Sequence, residues 1–145
     1  MTLGWEIHTE LHHGGSAVLA VNLSWRALRG DGADPPTTGL PIDADITAAA
    51  CRDALALARE LARHLGVDSS LDLRAAIVTA EPAPLTPIVT DYGGFRSIPD
   101  HARTPRRIQP VTALIHPADD NDALGISAQD LLTDLVSQFG ITAHL

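Results

Sequence analysis

The stretch ITAAACRDALALARELARHL, residues 46–65, is the most strongly patterned part of this 145-residue chain, and it sets the expected class of fold. Its apolar residues recur every three or four positions, as they do along one face of an amphipathic helix. We predict a helix over 46–65, with Asp45 as its N-cap and Gly66 just past its end. The residues expected on its apolar face are Ala50, Ala54, Leu57, Ala58, Leu61 and Leu65. Because half of them are alanines, this helix is expected to pack closely on a sheet.

The residues that precede this helix show the two-residue alternation of a β-hairpin. Apolar side chains alternate with Glu and His over residues 4–12, and a second alternation runs over 16–28. Between them, Gly14-Gly15 supplies the positive φ that a tight reversal needs. We therefore predict two strands at these positions. The connection that follows, residues 30–45, is rich in Pro and Gly and is expected to form neither a helix nor a central strand.

The register of this hairpin can be predicted from the polarity of its two faces. A two-residue turn would set Leu19 opposite Glu10 and would mix apolar with charged side chains. A loop that is one residue longer pairs Ile7 with Val21 or Leu23 and keeps one face apolar. We therefore expect a three-residue loop or a bulge at the turn.

The second half of the chain contains further strand patterns and a second helix pattern. The predicted elements are strands at 73–80 and 108–116 and a helix at 127–139. Ser127 and Asp130 have the spacing of a capping box at the start of that helix. Residues 81–107 carry five prolines and are expected to be irregular, with room for a short edge strand at Ile88-Val89.

Together these elements predict a single α+β domain over residues 1–145. Their order is β-β-α-β-(β)-β-α, which favours a two-layer sandwich of an antiparallel or mixed sheet with both helices on one face. The other face of such a sheet is left bare, and a second subunit usually covers a bare apolar face. Because Trp5 and Trp25 add apolar area to the hairpin, we expect a homodimer.

The charge balance excludes several kinds of partner and chemistry. Ten basic residues against 18 acidic ones give a formal net charge of −8, which repels nucleic acid and anionic membranes. All ten basic residues are Arg, so a phosphate-loop lysine and a Schiff-base lysine are both excluded. Abundant Ala, Arg, Asp and Gly without Lys is typical of a GC-rich bacterial genome or of one of its phages.

The sequence carries no sign of export. Cys51 is the single cysteine, so no intrachain disulfide can form. The first residues offer no basic and apolar leader pattern, and no run of about 18 apolar residues is present. We therefore expect a cytoplasmic protein without a membrane partner, in which Cys51 is a buried, inert side chain near the start of the first helix.

The first predicted strand carries residue types that bind transition metals. Glu6, His8, Glu10 and His12 lie at every second position, so their side chains point to one side at steps of about 6.6 Å. Zinc needs ligands that converge within about 2.3 Å of one ion, so only neighbours in this row can share it. Over a metal site at His8, Glu10 and His12 we favour a solvated, metal-free face, on which charge discourages aggregation. No cofactor is expected.

A second candidate site is the loop at residues 92–107. Its four Arg and one Asp give it a local charge of +3 in a chain of net charge −8. Arginine side chains bind carboxylates and phosphates through paired hydrogen bonds, and Gly93-Gly94 would let a backbone approach an anion. The candidate ligand-binding residues are Tyr92, Arg96, His101, Arg103, Arg106 and Arg107. The alternative is a connecting loop whose arginines pair with the protein's own carboxylates.

These features favour a non-catalytic binding or accessory protein, in which this loop recognises an anionic small molecule or an acidic segment of a partner. Two other hypotheses remain open. One is a small enzyme that acts on an anionic substrate or uses the His/Glu face as a metal site. The other is a subunit of a phage particle or of another assembly. Because no Gly-x-Ser-x-Gly nucleophile motif is present, no catalytic residue is assigned.

Overall fold

A computed structural model describes residues 7–24 and 39–145 of the chain. The predictions for residues 1–6 and 25–38, including both tryptophans, lie outside the described residues. In chain order the elements are β1 (Ile7–Leu11), β2 (Ala17–Val21), β3 (Leu40–Asp43), α1 (Ala44–His64), β4 (Leu71–Ala75), β5 (Leu85–Thr90), β6 (Arg96–Ser97), β7 (Val111–Ile115) and α2 (Asn121–Val136), with a final 3-10 turn at Ser137–Phe139.

The described residues form an α+β fold, as the sequence predicts, in which the helices pack on each other and on strands. The strands of the described residues form three small sheets: β1 with β2, β4 with β7, and β3, β5 and β6 in that spatial order. Every pair is antiparallel except β3 with β5, which is parallel. α2 lies against β7, and α1 lies against β5. Within the described residues, neither helix is long and apolar enough to cross a membrane.

The core lies between the two helices and the strands beside them, and it is almost wholly aliphatic. Leu55 of α1, Ile88 of β5 and Leu132 of α2 are each 0% exposed. Phe139, just after α2, closes one end of this core and is 1% exposed. Burying each such side chain stabilises the fold by about 1.5–3 kcal/mol. The core therefore depends on close packing of leucine, isoleucine and alanine, as the low aromatic content of the chain requires.

The register of the β1–β2 hairpin is confirmed. Ile7 pairs with Val21, so Ile7, Leu11, Leu19 and Val21 share one face of the hairpin. The N–H of His12 donates to the carbonyl of Ser16 at 2.9 Å, so the loop between these two residues has three members. Its last member, Gly15, has a φ of 85°. A three-residue hairpin loop needs this left-handed conformation at its third position, and glycine adopts it without strain.

α1 occupies the predicted region, but the prediction of Asp45 as its N-cap is wrong, because the cap is Asp43. The carboxylate of Asp43 accepts hydrogen bonds from the N–H groups of Asp45 and Ile46 at 3.0 and 3.2 Å. β3 runs directly into α1, so its last extended residue takes the cap position. Gly66, with a φ of 70°, ends the helix as predicted, and its N–H donates to the carbonyl of Arg63.

The face that α1 buries differs from the predicted one. Its buried apolar residues are Ala44, Ile46, Ala48, Cys51, Leu55 and Ala62. Members of the predicted face are only partly covered: Leu57 is 39% exposed and Leu65 is 59% exposed. Alanines and leucines occupy almost every side of this helix, so their spacing does not decide which side α2 covers.

α2 begins earlier than predicted, at Asn121 and not at Ser127. The carboxylate of Asp120 caps it by accepting a hydrogen bond from the N–H of Ala123 at 2.8 Å. The acidic run Asp119-Asp120-Asn121-Asp122 therefore contains the N-terminus of this helix. Asp122 in the first turn also suits the positive end of the helix dipole, which explains why acidic residues collect there.

Three strands lie in segments that were expected to be connections or irregular. β3 falls within 30–45, and β5 and β6 fall within 81–107. β5 includes the predicted edge strand Ile88-Val89, but it is the central strand of its sheet. The predicted strands at 73–80 and 108–116 are present as β4 and β7, and their pairing with each other covers only part of each prediction.

Pro87 is tolerated in the central strand β5 because its nitrogen points away from the neighbouring strand β3. The N–H of Leu85, two residues before Pro87, points away from β3 and donates to the carbonyl of Pro105 at 2.8 Å. Backbone N–H groups alternate in direction along a strand, so the nitrogen of Pro87 faces the same side. On that side β6 pairs only with Val89 and Thr90. The missing donor therefore removes no sheet hydrogen bond among the described strands.

Candidate functional site

The structure separates Arg96 from the other arginines of the predicted anion-binding loop. Arg96 is 9% exposed, and its Nη2 donates to Oδ2 of Asp43 at 2.9 Å. Its Nη1 donates to the hydroxyl of Thr90 at 3.3 Å. Asp43 is itself 0% exposed, so the two residues form a buried, hydrogen-bonded ion pair. Arg96 therefore holds β6 against the start of α1, and its guanidinium does not face solvent.

Residues 99–110 lie outside the sheets and are bonded to the body of the protein on both sides of Pro105, whose carbonyl accepts from Leu85 of β5. The N–H of Arg103 donates to the carbonyl of Phe139 at 2.7 Å. Further along, the side chain of Gln138 exchanges two hydrogen bonds with the backbone of Gln109, at 2.7 and 3.0 Å. These bonds give the segment a defined backbone geometry although it belongs to no sheet.

Three of the predicted residues, Arg103, Arg106 and Arg107, are exposed on this segment, and residues 103–107 are called the basic segment below. Nη2 of Arg106 donates to the carbonyl of Pro82 at 3.2 Å. Within the described parts of the chain, the guanidinium groups of Arg103 and Arg107 have no hydrogen-bond or ion-pair partner. The next residue, Ile108, is buried in the core and anchors the end of the basic segment.

The two arginines near the end of α1, Arg59 and Arg63, form internal contacts. Nη1 of Arg59 donates to Oδ1 of Asn121 at 2.9 Å, and Nε of Arg63 donates to the carbonyl of Pro117 at 2.7 Å. Glu60 accepts from both guanidinium groups, at 3.1 and 3.2 Å. These bonds join the end of α1 to the start of α2 and compensate the two charges locally. Among the described residues, the guanidinium groups of Arg103 and Arg107 have no such partners, so both remain accessible at the surface.

Tyr92 and Phe95 lie at the tip of the β5–β6 hairpin, which the sequence analysis did not predict. Oδ1 of Asp91 accepts from the N–H groups of Gly93 and Phe95, each at 2.9 Å, and Gly94 has a φ of 79°. Tyr92 is fully exposed and Phe95 is 69% exposed. The signal for this turn was in the sequence: a glycine pair at the same place in a three-residue loop as in the first hairpin.

The tip and the basic segment lie at opposite ends of β5. The tip follows Thr90, the last residue of β5, whereas Pro105 is bonded to Leu85, the first. Five residue steps of about 3.3 Å place these ends about 16 Å apart. The single predicted surface therefore divides, with Tyr92 at one end and the basic segment at the other. His101 is exposed on the turn between them.

A groove runs between β2 and the extended chain of residues 71–80, and α1 forms most of its floor. Residues of β3 and α2 also line its larger hollow: Leu40, Ile42, Leu131 and Leu135. It consists of two adjoining hollows of about 640 and 330 Å³. The α1 residues that line this α1 groove are Thr47, Ala50, Cys51, Ala54, Leu57, Ala58, Leu61, Ala62 and Leu65. The apolar stripe predicted from the sequence is thus the floor of a groove, and the described residues leave it partly uncovered.

Two histidines of the first hairpin meet one carboxylate. Nε2 of His8 lies 2.8 Å from Oε1 of Glu10, and Nε2 of His12 lies 3.1 Å from Oε2. These hydrogen bonds, that of His8 first, lower the pKa of Glu10 below its ordinary value of 4.5. Across residues 7–24 and 39–145, no three His, Cys, Asp or Glu side chains are grouped so as to hold a metal ion.

Cys51 lies at the floor of the larger hollow and is 4% exposed. Burial raises the pKa of its thiol to about 11, because the apolar surroundings disfavour the thiolate. At neutral pH the thiol is therefore protonated. This agrees with the expectation of a buried cysteine and gives it none of the features of a nucleophile.

Compared with models of protein families, with curated proteins and with solved structures, the chain matches none of them. The function of this chain is therefore inferred from its own residues and contacts. Among the described residues, the basic segment and the α1 groove both combine exposure with a backbone geometry fixed by the fold.

Proposed function

We propose that this protein is a non-catalytic binding protein whose basic segment recognises an acidic segment of a partner protein. The observation that supports this most directly is the exposure of three guanidinium groups, those of Arg103, Arg106 and Arg107, on a backbone that the fold holds in place. Because that backbone is already ordered, binding carries a smaller entropic cost. Guanidinium groups also bind carboxylates with directional, often paired hydrogen bonds.

The position of the basic segment favours an acidic peptide over a small molecule or a nucleic acid. Its residues line neither hollow of the α1 groove, whereas small ligands are usually held in concave pockets. The net charge of −8 opposes a long polyanion such as nucleic acid. A short acidic segment is affected mainly by charges within about 10 Å, and on the basic segment it would meet the three exposed arginines first.

The test uses a labelled oligoglutamate peptide and, as neutral control, an oligoglutamine peptide of the same length. We expect saturable binding of the acidic peptide by fluorescence anisotropy, weakening as salt is added. Arg103→Ala, Arg106→Ala and Arg107→Ala should each lower the affinity about tenfold or more, since a hydrogen bond to a charged group contributes about 1.5–3 kcal/mol. Arg52→Ala removes an exposed arginine on α1 and is the matched control. Absence of saturable binding, or an equal loss in the control, would contradict the proposal.

We also propose that the protein is a homodimer held by the apolar face of the β1–β2 hairpin. Ile7 and Leu11 are 54% and 68% exposed, and their spacing places them on one face of β1. Sedimentation at micromolar concentration should give a dimer mass for the unmodified protein and a monomer mass for Leu11→Asn. His8→Asn alters the opposite face and should leave the dimer intact. A monomeric unmodified protein would overturn the proposal.

A further inference from the structure

The two walls of the α1 groove are strand edges without a hydrogen-bonded neighbour in the part of the chain that the structure describes. β2 is paired with β1 on one side and β4 with β7, and no backbone hydrogen bond joins β2 to β4. Residues 15–19 share the smaller hollow with 71–74, and residues 18–24 share the larger one with 74–80. The walls therefore run in the same direction and enclose a space bounded on both sides by extended backbone.

The backbone of β2 turns hydrogen-bonding groups towards this space. Bonded and non-bonded positions alternate along an antiparallel pair, and the bond from His12 N–H to Ser16 O sets that alternation. Val18 consequently exchanges hydrogen bonds with β1, while the N–H and C=O groups of Leu19 and Val21 point away from it. Both of these residues line the groove. Unpaired backbone groups along an apolar floor are best satisfied by another extended backbone.

The opposite wall has the same property. Side chains alternate between half-buried and exposed along the whole of residues 71–80, as in a strand covered on one face. Only residues 71–75 are paired with β7, and residues 76–80 have no strand partner among the described residues. Val78 in this unpaired part is 85% exposed. In the sheet that the described residues form, β4 has β7 as its single neighbour, so its other edge is open to an added strand.

The wall of residues 71–80 leads to the basic segment. Pro82 lies two residues beyond Ala80, and its carbonyl accepts the hydrogen bond from Arg106. A chain that occupied the groove and continued past Ala80 would bring its next residues to Arg106 and Arg107. Positive charge at this end of the groove therefore complements acidic residues at one end of the occupant.

We infer that the α1 groove receives an extended segment of a partner protein by strand addition. Apolar residues at every second position of that segment fill the floor over Ala54 and Leu61, and acidic residues at its end bind Arg106 and Arg107. In this mode the backbone hydrogen bonds supply affinity and the alternating side chains supply specificity. The acidic end of the occupant rests on the proposed function. The groove further specifies that the ligand is extended and has apolar residues at every second position.

The test selects binders for the full chain from a displayed library of short random peptides. We expect enrichment of peptides in which apolar residues alternate with others and acidic residues cluster at one end. For the synthesised peptides, Ala54→Arg should lower the affinity at least tenfold, because a charged side chain then occupies the floor. Asp53→Arg places the same side chain at the adjacent, exposed position of α1 and should not lower the affinity.

Two further measurements test the inference even if Ala54→Arg does not fold. Leu57→Glu introduces a charge on the floor at a side chain already 39% exposed, so the helix tolerates it, and it should weaken binding in the same way. Hydrogen exchange at the amides of Leu19 and Val21 should slow at least tenfold in the complex, which binding outside the groove would not cause.

Each outcome decides between the two proposals. No enrichment, or peptides that bind Ala54→Arg and Leu57→Glu as well as they bind the unmodified protein, would overturn strand addition. If peptides that bind these groove variants normally still lose affinity with Arg106→Ala, the proposed function stands. Peptides that need the groove but are unaffected by Arg106→Ala and Arg107→Ala support strand addition and contradict the proposed function. A dimer that dissociates on Ala54→Arg would give the groove to a second copy of the chain and overturn the inference.

Discussion

The guanidinium of Arg96 donates to the buried carboxylate of Asp43 across 2.9 Å, and this pair joins three elements at one point. Asp43 ends β3, and its other carboxylate oxygen caps α1 through the N–H groups of Asp45 and Ile46. Arg96 brings β6 to the same place. One carboxylate thus fixes the start of the longest helix and the position of the hairpin that carries the exposed aromatic tip.

Removing the guanidinium of Arg96 should be destabilising, because the buried carboxylate of Asp43 loses a charged hydrogen bond of 2.9 Å. We expect Arg96→Met to lower the free energy of unfolding by about 1.5–3 kcal/mol. Adding Asp43→Asn, which keeps a capping side chain, should recover part of that loss. Arg107→Ala is the control, and its effect on denaturant unfolding should stay within about 0.5 kcal/mol. Equal effects of Arg96→Met and Arg107→Ala would show that the ion pair does not stabilise the fold.

Thr86 and Thr47 are both buried threonines, and they should respond oppositely to replacement by valine. Within residues 7–24 and 39–145 the hydroxyl of Thr86 has no hydrogen-bond partner, whereas that of Thr47 donates to the carbonyl of Asp43 at 2.8 Å. A buried unsatisfied hydroxyl costs about 1–3 kcal/mol, so Thr86→Val should raise the free energy of unfolding by about 1 kcal/mol. Thr47→Val should lower it by about 1 kcal/mol. Chemical denaturation of both variants checks the signs, and destabilisation by Thr86→Val would contradict this account.

The carboxylate of Glu10 should titrate below its ordinary pKa of 4.5, because hydrogen bonds from His8 and His12 stabilise its ionised form. Its pKa is lower in the folded state than in the unfolded one. Its contribution to stability is therefore complete above pH 4.5 and is lost as the pH falls through the lowered value. Carbon-detected NMR titration measures the midpoint, and the double variant His8→Gln, His12→Gln should raise it. An unchanged midpoint in that variant would show that the histidines are not the cause.

Cys51 should react slowly with thiol reagents in the native protein. Burial raises the pKa of its thiol to about 11, so at about pH 8 the thiolate is scarce and the sulfur is covered. Modification by a disulfide reagent should be at least tenfold slower than for the same chain in denaturant. Prompt stoichiometric labelling without denaturant would mean that the floor of the α1 groove opens readily.

The features that were predicted correctly depend on neighbours in the chain. The register of the first hairpin follows from the alternation that pairs Ile7 with Val21 across a short loop. The end of α1 follows from a glycine at residue 66. The same local reasoning failed where strands contain Pro or Gly, because these residues predicted irregular structure, as at Pro87 of β5. The nitrogen of this residue is tolerated only because of the side of the sheet to which it points.

By itself, the sequence determined an α+β fold, two long helices, an aliphatic core and the first hairpin, since periodicity, turns and capping act over a few residues. Only the tertiary structure decided that Arg96 pairs with Asp43, 53 residues away, while Arg103, Arg106 and Arg107 remain at the surface. It also decided which side of α1 meets α2 and which becomes the floor of a groove. Identical arginines and similar alanines differ only in what the rest of the chain packs against them, and that depends on contacts between residues far apart in the sequence.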